Sequence, residues 1–113
     1  MSIITENGWF NHIPFTEYRP DIDVEIQGTF FFVHGHTCSK EPKYLGNLPL
    51  IFTRLGYLFV AIDAYRHGER KSEPYLLGNE IDKALAMPEV IEHTCSDLQY
   101  LYDNKYSKIS GKL

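Results

Sequence analysis

Two uninterrupted runs, the aromatic and β-branched Thr29–Val33 and the apolar Tyr57–Ile62, constrain this chain more than any other feature. A strand covered on both faces reads as a continuous hydrophobic run, whereas a half-solvated one alternates. Between the runs, Tyr44, Leu45, Leu48, Ile51, Phe52 and Leu55 recur at helical spacing. They predict an amphipathic helix from about residue 43 to 55. Pro49 lies inside it and predicts a kink or a late start, and Gly56 is placed as its C-terminal stop. Strand, helix and strand with short connections make a βαβ unit, whose crossover should be right-handed. The fold class is therefore α/β.

The chain has 113 residues, room for a single small domain with a real core. Upstream of the βαβ unit, Trp9 to Tyr18 mixes aromatics with turn residues and predicts one or two antiparallel edge strands, with Pro14 limiting their pairing. Ile22, Val24 and Ile26 alternate with polar residues, as in a half-buried strand or an extended approach. Downstream, Ala64 to Pro74 reads as a polar loop. Ile81, Ala84, Leu85 and Met87 suggest a short helix. Pro88 should open a second helix, with Val90, Ile91, Thr94, Cys95, Leu98, Leu101 and Tyr102 on one face and its end near Asp103–Asn104. Cys95 is then expected in the core. Residues 105 to 113 look like a loop leading into a strand.

Composition narrows the partners. With 15 acidic and 11 basic residues the net charge is -4, and no basic stripe suggests nucleic acid. Arg66, Arg70 and Lys71, interleaved with Glu69, read as a solvated loop. The run from Phe30 to Val33 is far short of the ~20 residues of a membrane helix. The N-terminus has no basic region followed by an apolar core, so no secretory signal is expected. Two cysteines, Cys38 and Cys95, are too few for a disulfide framework, which fits a cytoplasmic protein with reduced thiols.

Two segments carry chemistry. The first run stops at His34-Gly35-His36-Thr37, where a glycine turn frees backbone amides that could face a developing negative charge. The second stops at Asp63, and the loop after it holds Tyr65, His67, Gly68 and Arg70. Ligands of open α/β sheets bind beyond the carboxyl ends of strands, and both loops should leave the sheet on that edge. Asp63 is read first as a loop-capping carboxylate and His67 as a structural hydrogen bonder, ahead of acid–base roles. Zinc on His34, His36 and His67 lacks a completing carboxylate at a known spacing. Cys38 beside His36 is a weak nucleophile pair. Neither a metal nor a cofactor is expected. No Gly-x-Ser-x-Gly occurs, and none of Ser2, Ser39, Ser72, Ser96, Ser107 and Ser110 falls in a strand–turn–helix elbow.

The segments Phe31 to Glu41 and Leu55 to Asp63, followed by Arg66-His67-Gly68-Glu69-Arg70, resemble the N-terminal part of the α/β-hydrolase superfamily. The likeness is to the small bacterial esterases and dienelactone-hydrolase-like peptidase relatives, over about residues 13 to 113. The resemblance implies that the first segment is the third strand plus the oxyanion loop, with the amide of His36 or Thr37 as one oxyanion donor, and the second the fourth strand. It implies a small ester-like substrate for the full-length family and a Ser, Asp, His triad further along the chain. The expectation is a single partial domain over 1–113, stopping before the nucleophile strand, with no catalytic triad and no ester hydrolysis of its own. The family's fifth strand would lie beside the third, so residues 29–33 are expected as an open edge suited to self-association or to a complementing chain.

Overall fold

The structure is a computed structural model that describes residues 3–21, 25–34, 39–65, 67–70 and 80–108, with the backbone alone at 80 and 82–84. It is a small α/β domain built on a four-stranded mixed sheet. The strands are β1 (Ile3–Phe10), β2 (Ile13–Pro20), β3 (Gly28–Val33) and β4 (Tyr57–Ile62), and the helices are α1 (Leu48–Arg54) and α2 (Glu80–Leu101). The spatial order is β1-β2-β4-β3. β1 and β2 form an antiparallel hairpin, β2 is antiparallel to β4, and β3 runs parallel to β4.

The βαβ unit is present as β3, α1 and β4. Along β4 the side chains alternate between two cores. Leu58, Val60 and Ile62 join Ile13, Phe15, Leu101 and Tyr106 on one face. Phe59 and Ala61 join Tyr18 and Leu45 on the other, where Phe52 of α1 packs. Both faces are covered, which is why β4 reads as an unbroken apolar run. Helix α1 starts late, at Leu48, with Pro49 in its first turn where no amide partner is needed. Residues Pro42–Tyr44 form a separate 3-10 turn. Gly56 ends the helix at φ 92°, a left-handed position that suits glycine.

Four expectations are corrected. The segment around Pro14 is an interior strand, flanked by β1 and β4, not an edge. Proline is tolerated because it sits at the end of the β2–β4 ladder: Asp63 N–H donates to the Pro14 carbonyl at 3.3 Å, and only the return bond of that pair is missing. Residues 29–33 are a half-buried edge strand, with Phe30 and Val33 each 37% exposed, not a buried one. Pro88 does not begin a helix; α2 runs through it, continuing at the cost of one main-chain hydrogen bond. Cys95 is exposed rather than core, because α2 turns Val90, Thr94, Asp97 and Leu101 toward the sheet instead. After α2 the chain closes in a π-helical turn, Tyr102–Tyr106. The strand expected at the C-terminus and the alternation at Ile22 and Val24 lie outside the described residues, while Ile26 is buried. No helix among the described residues is long and apolar enough to cross a membrane.

Candidate functional site

Parallel pairing sets Val33 of β3 opposite Ile62 of β4. The two chemistry-bearing loops therefore leave the sheet side by side, at the carboxyl ends of neighbouring parallel strands. The first contact between them is a hydrogen bond. Ala64 N–H donates to His34 Nε2 at 2.9 Å, which leaves the ring proton of neutral His34 on Nδ1. His67 stands next to it, ring centroid to ring centroid 5.1 Å. Its Nδ1 is 2.9 Å from the Tyr65 carbonyl; a carbonyl only accepts, so Nδ1 carries the proton there too.

Asp63 is nearly fully buried, at 1% exposure. Its two oxygens are taken by main-chain donors from separate segments: Lys40 N–H at 2.8 Å and Glu69 N–H at 3.0 Å. The Lys40 ammonium adds an ion pair to Glu69 at 3.0 Å across the same gap. A buried carboxylate held by two main-chain amides fastens the loop after β3 to the loop after β4. Gly68 makes this approach feasible, at φ 53° and with no Cβ to occupy the carboxylate's space.

The remaining site residues lean on α2. Tyr65 N–H donates to Thr94 Oγ1 at 3.1 Å, and the Tyr65 ring stacks on His93 at 4.2 Å. Arg70 pairs with Asp97 and lies over the Tyr65 ring. Asp97, buried, also receives His12 from the β1–β2 turn at 2.9 Å. One carboxylate thus joins the hairpin, the second loop and α2. Beside this cluster an open groove of about 230 Å³ runs between Val33, His34 and the Ile91, Cys95 and Leu98 stripe of α2.

His34, Asp63, Tyr65, His67 and Arg70 are thus brought to one end of the sheet, whereas Gly35, His36, Thr37 and Cys38 lie outside the described residues. Ser39 is buried but engaged in its own turn, donating to Glu41 Oε1 and accepting from Glu41 N–H. Among the described residues no group of three His, Cys, Asp or Glu side chains is placed to hold a metal. Thr94, Asp97, His12 and Lys40 were not singled out by sequence reasoning. For two of them a signal existed: Thr94 and Asp97 share a helical stripe with Val90 and Leu101, and polar residues on a buried stripe need partners. Compared with known proteins, the chain matches no family model, no curated protein and no solved structure.

Proposed function

We propose that these residues form the N-terminal part of an α/β-hydrolase sheet, of the bacterial esterase and dienelactone-hydrolase-like branch, serving carboxylic-ester or related acyl hydrolysis in the cytoplasm. In this reading the turn at His34, Gly35, His36 and Thr37 offers an amide to the oxyanion hole, and the Asp63 clamp ties the following loop, at Lys40, to the second loop at Glu69. The Ser, Asp and His of the triad come from residues outside these 113, so the chain alone leaves ester turnover at background. The observation that carries the reading is the position of β3. It is parallel to β4 on one side and, among the described residues, at the sheet edge on the other. Its carboxyl end meets that of β4 through the bond from Ala64 to His34, where ligands of open α/β sheets bind.

Two measurements test it. Purified chain assayed on p-nitrophenyl esters should give no turnover above buffer; robust turnover by the chain itself overturns the assignment of the triad elsewhere. The DNA after the codon for Leu113 should encode, in frame or after a frameshift, a Gly-x-Ser-x-Gly segment. Its absence sinks the family reading.

A second reading is favoured by the edge itself. β3 carries no charge and no proline and exposes Phe30 and Val33, so it lacks the usual guards against strand addition. As an interaction module the chain pairs through residues 29–33 with itself or with a complementing chain. Light scattering after size exclusion decides: a clean monomer at all concentrations argues against self-pairing, and association abolished by Phe30→Lys supports it.

A further inference from the structure

We infer that the β3 edge is covered by a second copy of this chain, joined antiparallel about a two-fold axis so that residues 29–33 of the two copies lie against each other. This names the occupant of that edge; it rests on the edge-pairing reading and not on the hydrolase one.

The edge calls for a strand, and its flanks say which kind. Among the described residues no strand lies on the outer side of β3, so a partner must offer a row of main-chain donors and acceptors. Helix α1 adds an apolar overhang. Its Pro49 and Leu50 line a cavity with Ile3, Thr5 and Tyr18 on the hairpin side, and its Phe52 stacks on Phe30. At about 3.6 residues per turn, Ile51 and Leu55 fall on the opposite flank, beyond β3. They are 49% and 62% exposed, and with Phe30 they make one apolar border. The added strand must therefore be uncharged and apolar on both faces. Of the four strands, β1 and β2 carry Glu6, Glu17 and Arg19, and β4 is paired on both sides. Only β3 is uncharged with an open side, so the edge is complementary to itself. Arg54, the one charge of α1, is exposed on the helix's outer side, so the seam brings no like charges together.

Symmetry fixes the register. Phe30 and Phe32 stack on Phe59 on the α1 face, whereas Phe31 meets Tyr106 on the other. A two-fold axis normal to the sheet keeps both α1 helices on one face, and residues opposite each other across the seam must share a face. Phe31 then pairs with its own copy, Phe30 with Phe32 and Thr29 with Val33. Every residue of the run meets another of the run, in the antiparallel pairing that is the stronger kind. Ile51 and Leu55 of the two copies close over the seam.

The test uses the whole chain. Light scattering after size exclusion should find a dimer that dissociates on dilution. Ile51→Lys and Ile51→Glu should each weaken it by roughly tenfold or more. Mixing the two variants should restore it through opposite charges, a rescue that misfolding would not allow. With Cys38→Ser and Cys95→Ser in place, Thr29→Cys and Val33→Cys together should cross-link two chains on oxidation. Neither alone should, since like positions lie about 13 Å apart along the strands. Circular dichroism establishes that each variant is folded. A monomer at all concentrations overturns the inference and self-pairing with it. A dimer that survives Phe30→Lys overturns the edge reading on which the inference rests. A dimer lost on Phe30→Lys, yet indifferent to charge at Ile51, cross-linked by Thr29→Cys alone or not cross-linked by the pair, overturns this arrangement and leaves the edge reading standing.

Discussion

The Asp63 carboxylate fills the space that a side chain on Gly68 would need: a Cβ built on Gly68 would lie 2.2 Å from Asp63 Cγ and Oδ1. Gly68 is also at φ 53°, where side-chain-bearing residues are strained. Gly68→Ala should therefore destabilise the fold by about 1–3 kcal/mol, from the strained backbone and from displacing the carboxylate off Lys40 and Glu69. Asp63→Ala should also destabilise, since it removes the shared acceptor that ties the Lys40 and Glu69 amides together. Urea unfolding checks both. If Gly68→Ala unfolds like the parent, the clamp is not the tight contact described.

The bonds at His34 and His67 predict a spectroscopic signature. His34 Nε2 accepts from Ala64 N–H and His67 Nδ1 donates to Tyr65. In their neutral forms both rings should be the Nδ1–H tautomer, the minority form of free histidine. Long-range proton–nitrogen correlation spectra report the tautomer directly. An Nε2–H assignment for His34 would remove the hydrogen bond that links β3 to the second loop.

Asp97 serves a buried cation and an exposed one. Arg70 is 10% exposed in its side chain, whereas His12 is 59% exposed. Removing Asp97 leaves the Arg70 guanidinium buried without its counter-charge, so Asp97→Ala should cost about 3–5 kcal/mol. His12→Ala, an exposed partner, should cost less than about 1 kcal/mol. The same unfolding experiment on both variants tests the asymmetry; near-equal losses contradict it.

Tyr106 donates to Glu17 Oε1 at 2.6 Å. Burial first, then the hydrogen bond and charge of Glu17, push its phenol far above the usual range. Burial also raises Tyr18. For a group whose folded pKa exceeds its unfolded one, the stabilisation is complete below the unfolded value, about 10 for tyrosine, and is lost as pH rises beyond it. Stability should be flat through neutral pH and fall above pH ~10, by about 1.4 kcal/mol per unit for each such tyrosine. Tyr106→Phe should flatten that fall. An unchanged alkaline slope in the variant refutes the assignment.

Elements set by side-chain periodicity were legible in the sequence, and features set by the main chain were not. β3, α1 and β4 follow from apolar runs and helical spacing that survive in the fold. β1 was missed as a separate strand because most of its residues are exposed on both faces, which leaves no alternation to read. The Asp63 clamp uses the amides of Lys40 and Glu69, and amides have no sequence signature. Cys95 was assigned to the wrong face because the apolar arc of α2 is wider than the stripe it buries. Asp97, a polar residue outside that apolar arc, faces inward with Val90, Thr94 and Leu101.

Pro88 misled for the opposite reason: its local rule is strong, yet α2 continues through it. The residue cannot donate to the carbonyl one turn earlier and crowds that turn. It is exposed, so replacing it removes little packing. Pro88→Ala should therefore restore one helical hydrogen bond and stabilise the protein by about 1–3 kcal/mol, against a smaller loss from the freer unfolded chain. The denaturation midpoint should rise with an unchanged slope, and amides near residue 88 should exchange more slowly. A variant no more stable than the parent would mean that α2 is held through Pro88 by its contacts on either side, Val90 against Ala64 and Leu101 in the main core, with the helix interior contributing little.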